Sequence, residues 1–140
     1  MSIPALDPSD PRNHTINVAG PAALLIAKLH KLAERREDTS RLIDKDAHDI
    51  YRLLVAIPTQ TLAQRITDLR QNHISGATTE QAIVFLSRLF AAGPEALGPL
   101  MAGRAEILVG SPVTVSAATY MLARDLHVAI ERDRPDSAAP

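Results

Sequence analysis

Four charged side chains on two consecutive segments have the types and the order that could carry chemistry. Lys28 lies in an apolar segment over residues 21–36, and Asp44, Asp46 and Asp49 open the segment that follows it. A lysine ammonium can neutralise charge that builds on a phosphate during transfer, and a carboxylate can orient a base or an attacking hydroxyl. The same order of residues is also typical of two ordinary helices that pack against each other.

The elements that must position these side chains are helices. Pro21 suits a first helical position, because its missing N–H has no partner there in any helix. The first helix is apolar on all sides over residues 22–27, and Leu25, Leu29 and Leu32 form one stripe along it. A helix that is apolar all round requires burial on more than one side.

The rest of the chain predicts a mainly α fold with five or six helices in total. The helices expected after the first run from Asp44 to Ile57, from Thr59 to about Gln71, from Thr78 to Phe90, over a short stretch after the loose connection at 93–99, and from Ser111 to about residue 133. A proline at position 58 stops the second of these helices. Thr78 and Gln81 have the spacing of a capping box.

Residues 14–19 alternate between polar and apolar side chains, which predicts one short strand before the first helix. The chain offers this strand no partner, and an isolated strand is not stable. It therefore belongs to the back half of an α/β protein, pairs with another chain, or is simply an extended arm. The expected organisation is a flexible arm over 1–13, one helical domain over 14–133 and a flexible tail over 134–140.

Composition narrows the function classes. The chain has 140 residues, 46% of them hydrophobic and 3% aromatic, so one domain with an aliphatic core is expected. It has no cysteine, which excludes disulfides, thiolate catalysis and cysteine-bound zinc. The net charge of −1 shows no strongly basic footprint for nucleic acid. No secretory signal and no apolar stretch of about 20 residues is present, so we expect a cytoplasmic protein with no membrane partner.

The segment over 14–57 resembles the C-terminal half of the abortive-infection type of bacterial nucleotidyltransferase, a toxin-like family of toxin–antitoxin systems. The match consists of residues 18–36, VAGPAALLIAKLHKLAERR, followed by residues 45–54, KDAHDIYRLL. In the family, a strand enters a helix with a functional lysine, and the next helix opens with Lys/Arg-Asp-x-x-Asp. The resemblance implies that Lys28 contacts nucleotide phosphate, that Asp46 is the downstream acid and that Asp49 is the second acid of the motif.

The family's other half has no counterpart in this chain. There, a Gly-Ser turn and two acids on a sheet hold the metal and the nucleoside triphosphate, and no such strand motif occurs here. Mg²⁺ and a nucleoside triphosphate are thus implied by the resemblance alone, and we expect no cofactor or metal site in this chain. The expected function is a nucleotidyltransferase-like helical portion that is inactive alone, and the alternative is a non-enzymatic helical interaction module.

The candidate site residues each have an alternative structural role. Lys28 could cover apolar surface with its stem and reach solvent with its ammonium. Asp44 and Asp46 lie in a first helical turn, where the helix dipole favours acids. Asp49 could pair with Lys45 one turn away or with Arg52 nearby. If the two helices form an antiparallel hairpin, the axial rise places Asp49 closer to the level of Lys28, whereas the motif favours Asp46.

Other interpretations rest on fewer residues. His48-Asp49, with His30 and Asp125, is compatible with a helical metal phosphohydrolase. Basic residues cluster near the end of the first helix and weakly suggest nucleic-acid binding, although basic residues also suit the negative end of the helix dipole. These residues are Lys28, Lys31, Arg35, Arg36 and Arg41. The apolar first helix and the unpaired strand predict a homodimer or a sheet-bearing protein partner.

Overall fold

The computed structural model describes residues 20–36 and 44–134, and these residues form six helices and no strand. The helices are α1 (Gly20–Arg35), α2 (Asp44–Ala56), α3 (Thr59–Gln71), α4 (Gly76–Leu89), α5 (Leu97–Arg104) and α6 (Pro112–Arg132). The mainly α prediction is therefore confirmed. The predicted strand at 14–19, the arm at 1–13 and the tail beyond residue 134 lie outside the described residues. None of the six helices that are described is both long and apolar enough to cross a membrane.

One aliphatic core joins all six helices. α6 is the longest helix, with 21 residues, and packs against α5, α3, α4 and α2, while α1 packs against α4, α2 and α3. The predicted stripe of Leu25, Leu29 and Leu32 is confirmed, because all three side chains are buried. Phe90 is fully buried among leucine, isoleucine and alanine side chains.

α1 and α2 form an antiparallel hairpin. Arg35 at the end of α1 contacts Asp46 in the first turn of α2, and Leu24 near the start of α1 shares a hollow with Ala56 at the end of α2. The first turns of α1 are only partly covered, since Leu24 is exposed while Leu25 and Ile26 are buried. The hairpin fixes which residues of the two helices can meet.

The predicted start of the fourth helix at Thr78 is wrong. α4 begins at Gly76, and the Thr79 N–H already donates to the Ser75 carbonyl, so Thr78 lies inside the first turn and no capping box forms there. A Cβ at position 76 would lie 2.8 Å from the Arg70 carbonyl oxygen. Glycine thus lets the chain turn tightly against the end of α3 instead of breaking the helix.

The connection predicted over residues 93–99 is shorter than expected. Gly98 and Pro99 belong to α5, which begins at Leu97. Pro99 lies in the first turn, where a missing N–H removes no helical hydrogen bond. A Cβ on Gly98 would overlap the Phe90 ring, so glycine permits a close approach between α5 and the core.

The predicted start of the last helix is confirmed. Pro112 is the first residue of α6, and the Ser111 side chain accepts a hydrogen bond from the Thr114 N–H at 3.3 Å. This N-cap satisfies one of the donors that a helix leaves unpaired at its start. It also fixes the direction in which the chain enters α6 after the connection from α5.

Candidate functional site

The α1–α2 hairpin brings Lys28 and Asp49 together. The Lys28 Nζ donates to the Asp49 Oδ2 at 3.2 Å, and the Lys45 Nζ lies 3.7 Å from the same oxygen. The Lys28 and Asp49 side chains are 23% and 21% exposed, so the pair is half-buried. The expectation from axial rise, that Asp49 is the acid opposite Lys28, is confirmed.

Asp49 is held as a carboxylate. Partial burial by itself raises the pKa of Asp49, but the hydrogen bond from Lys28 and the charges of Lys28, Lys45 and Arg52 more than offset it, so the net pKa lies below the ordinary value. A paired carboxylate with a lowered pKa is a weak proton acceptor at neutral pH. This geometry therefore favours a structural or orienting role for Asp49 over a role as a general base.

A hollow of about 370 Å³ lies beside this pair. Its polar lining is Lys28, Asp49 and Arg52, and its apolar lining consists of Leu24, Leu53 and Ala56. Lys28 and Arg52 each attract the Asp49 carboxylate electrostatically. The hollow is large enough for a small group of a ligand, and two cations and one acid line it.

Asp46 is part of a different contact. Its Oδ2 accepts a hydrogen bond from Arg35 at 2.7 Å, and its Oδ1 lies 3.5 Å from the Lys31 Nζ. Asp46 is buried, with 7% of its surface exposed, and it does not line the hollow beside Lys28. The structure thus brings two of the three predicted site residues together and separates the third from them.

Acids of α2 neutralise part of the predicted basic cluster at the end of α1. Lys28 binds Asp49, and Lys31 and Arg35 bind Asp46, so three cations of this cluster face acids of α2. A basic face whose charges are paired within the fold offers less attraction to a phosphate backbone.

A second polar cluster joins α2 to the end of α5. The His48 Nε2 lies 2.5 Å from the Glu106 Oε2, and Arg104 donates two hydrogen bonds to Asp44, at 2.9 and 3.2 Å. Sequence reasoning missed these pairs, because their partners are about 60 residues apart and share no local spacing. They fix the segment after α5 onto the start of α2.

The side chains that could bind a metal ion lie apart from one another in the described residues. Over residues 20–36 and 44–134, no three His, Asp or Glu side chains lie together as the ligands of one ion would. His48 faces Glu106, and the His30 Nε2 donates to the Thr78 carbonyl at 2.9 Å. The described residues therefore supply no group of ligands for the Mg²⁺ that the family resemblance implies.

Exposed aliphatic side chains are concentrated in the α5–α6 connection and the adjoining parts of both helices. We call it the aliphatic face, defined by Leu100, Ile107, Leu108, Val109 and Val113. Its members Ile107, Leu108, Val109 and Val113 are 67%, 93%, 82% and 81% exposed. A mainly apolar groove of about 500 Å³ shares Leu100 and Val113 with this face, and its lining also includes Pro94, Pro112 and Ala117.

Sequence reasoning gave residues 107–109 no role. Three consecutive aliphatic residues beside a glycine are equally typical of a short buried strand, so their order did not indicate exposure. Only the fold shows that they point away from the core.

Comparison with protein-family models, with curated proteins and with solved structures finds no match to this chain. The resemblance to the nucleotidyltransferase family stays a prediction from residues 14–57.

Proposed function

We propose that this chain is a non-enzymatic helical interaction module that binds another polypeptide through the aliphatic face. The observation that carries the proposal is the run of exposed aliphatic side chains at 107–109 next to an apolar groove. Contiguous apolar surface on this scale is typical of sites for protein partners. A cytoplasmic location, as expected from the sequence, is part of the proposal.

The charged residues of the hairpin support this proposal indirectly. Lys28, Asp49, Arg35 and Asp46 are all engaged with one another across α1 and α2, which is what a structural role requires. Reactive groups in enzymes are usually held with a strongly perturbed pKa in a cleft that excludes water. The hollow beside Asp49 is open, and the pKa of Asp49 is lowered by its pairing.

Selection of binding peptides tests the proposal. Amphipathic helical peptides from a random library are selected on the dilute, immobilised chain, because an apolar groove of this kind accepts aliphatic anchors at helical spacing. We expect binders whose affinity falls in Leu100→Ser and Val113→Ser. Ile74→Ser is the matched control, since Ile74 is 80% exposed but lies in the α3–α4 connection. Binders that are insensitive to both face variants, or no binders at all, would overturn the proposal.

A second candidate function is the nucleotidyltransferase-like helical half, with Lys28 and Asp49 as its site residues. The contact between these two residues at the edge of one hollow supports it. A chain without the metal-binding half should be inactive alone, because phosphoryl transfer needs carboxylates that hold the ion.

Incubation of the purified chain with Mg²⁺ and each labelled nucleoside triphosphate tests the inactivity of the isolated chain, which both candidates predict. We expect label on neither the chain nor added RNA. Strong labelling that Lys28→Ala abolishes and Lys45→Ala retains would establish catalysis by this chain and contradict the interaction module.

A further inference from the structure

We infer that the aliphatic face is occupied by a second copy of the same chain, arranged around a two-fold axis. This inference rests on the proposed function and specifies its partner. The face carries a projecting element, the aliphatic side chains at 107–109, and a receiving element, the groove between α5 and α6. A two-fold axis places the projection of each copy against the groove of the other, as self-complementary interfaces require.

The projecting element is ordered by its own backbone. Within the connection, the Ile107 N–H donates to the Arg104 carbonyl, and the N–H groups of Val109 and Gly110 donate to the Glu106 carbonyl at 3.0 and 2.8 Å. The Glu106 side chain is in turn bound to His48 of α2. A backbone that is already ordered loses little conformational entropy on binding, which favours residues 107–109 as anchors.

The receiving element is equally well fixed. The Ser116 hydroxyl donates to the Pro99 carbonyl at 2.8 Å, which ties α6 to α5 along the groove. A Cβ on Gly103 would collide with Ser116 and with the Pro112 carbonyl, so the two helices are in close contact beneath the groove. The groove therefore exists before any partner arrives.

The available area matches a dimer. Complete burial of the five residues of the aliphatic face would remove at most roughly 600–700 Å² from each copy, compared with about 800 Å² per partner in a standard interface. The groove walls would add to this area. The exposed fractions of these side chains are thus large enough for a stable interface with one copy.

The charges around the groove are compatible with self-association. Its rim carries one acid, Glu95, and one base, Arg104. Arg104 is already paired with Asp44 of its own chain, so the rim carries no concentration of one charge and two copies can meet without strong repulsion. A partner with a strongly acidic or basic surface would gain little from this rim.

Sedimentation analysis of the full chain tests the inference. We expect a reversible dimer at micromolar concentrations whose dissociation constant rises about 100-fold in Leu108→Asp, because an interface anchor becomes a charge that must be desolvated. Ile74→Asp, at a site of similar exposure, should leave the dissociation constant unchanged. A wild-type monomer throughout, or a dimer that Leu108→Asp does not weaken, overturns the inference.

Crosslinking checks the arrangement of the dimer. Since the chain contains no cysteine, a Leu108→Cys chain and an Ala117→Cys chain can be mixed and treated with a short thiol-reactive crosslinker. We expect a product that contains one of each chain, and much less product when Ile74→Cys replaces Leu108→Cys. Equal yields in the two mixtures would overturn the two-fold arrangement. If the chain is monomeric but the selected peptides still bind the face, the second-copy inference fails while the proposed function stands.

Discussion

Replacement of Lys28 by methionine distinguishes a structural ion pair from a functional one. Methionine keeps an unbranched stem of similar length and removes the ammonium that donates to Asp49 at 3.2 Å. If the pair stabilises the hairpin, the variant loses stability. If the pair is maintained for function despite a desolvation cost, the variant keeps or gains stability.

The contacts of Asp49 set the size of the expected loss. Removal of one partner from a buried pair costs about 3–5 kcal/mol, and an exposed pair contributes about 0.2–1 kcal/mol. The Lys28 and Asp49 side chains are about one-fifth exposed, and Lys45 remains 3.7 Å from the carboxylate after the change. We therefore expect Lys28→Met to lower the free energy of unfolding by about 1–2 kcal/mol, which is about 3–6 °C in Tm for a chain of this size.

A double-mutant cycle measures the pair itself. Urea unfolding and thermal melts of Lys28→Met, Asp49→Asn and the double variant at neutral pH should give a coupling energy of about 1 kcal/mol. Lys45→Met is the matched control, because the Lys45 side chain is 79% exposed, and it should cost less than about 0.5 kcal/mol. An unchanged or higher Tm in Lys28→Met would refute the reasoning. An equally large coupling energy between Lys45 and Asp49 would also refute it.

Three further predictions follow from contacts within the described residues. The pKa of Asp49 is lowered in the folded state, so the ionised carboxylate stabilises the fold at pH values above the unfolded pKa of about 3.9. The difference in unfolding free energy between the wild type and Asp49→Asn, measured in urea, should shrink as pH falls through the folded pKa. A difference that stays constant with pH would contradict this prediction. Asp46→Asn should lower the free energy of unfolding in urea by about 2–3 kcal/mol and Asp44→Asn by less than about 1 kcal/mol, because Asp46 is buried and Asp44 is not. Equal losses in the two variants would argue against the role of burial. Gly98→Ala should cost about 1–3 kcal/mol by calorimetry, since its methyl group would overlap the Phe90 ring; a neutral result would show that the ring can move.

The site residues were predictable to the extent that helix geometry determined them. Lys28 and Asp49 could be matched from rise per residue once an antiparallel hairpin was assumed. The partner of Asp46 could not be predicted in this way. Arg35 lies one turn from Lys31 on α1, and either base can pair with this acid. The link between His48 and Glu106 spans α2 and the end of α5, so no local spacing signals it.

The sequence by itself determined the helical class, most helix ends and the main buried stripes. Helix propensity, apolar periodicity and proline position act over a few residues, so they can be recognised without knowledge of the fold. The start of α4 at Gly76 and the inclusion of Gly98 in α5 depended on the tertiary structure, because each glycine admits a close approach to the end of the preceding helix. The exposure of residues 107–109 was decided in the same way. An apolar run is buried only if another element covers it, and in the described residues the packing of α5 on α6 leaves this one facing outward.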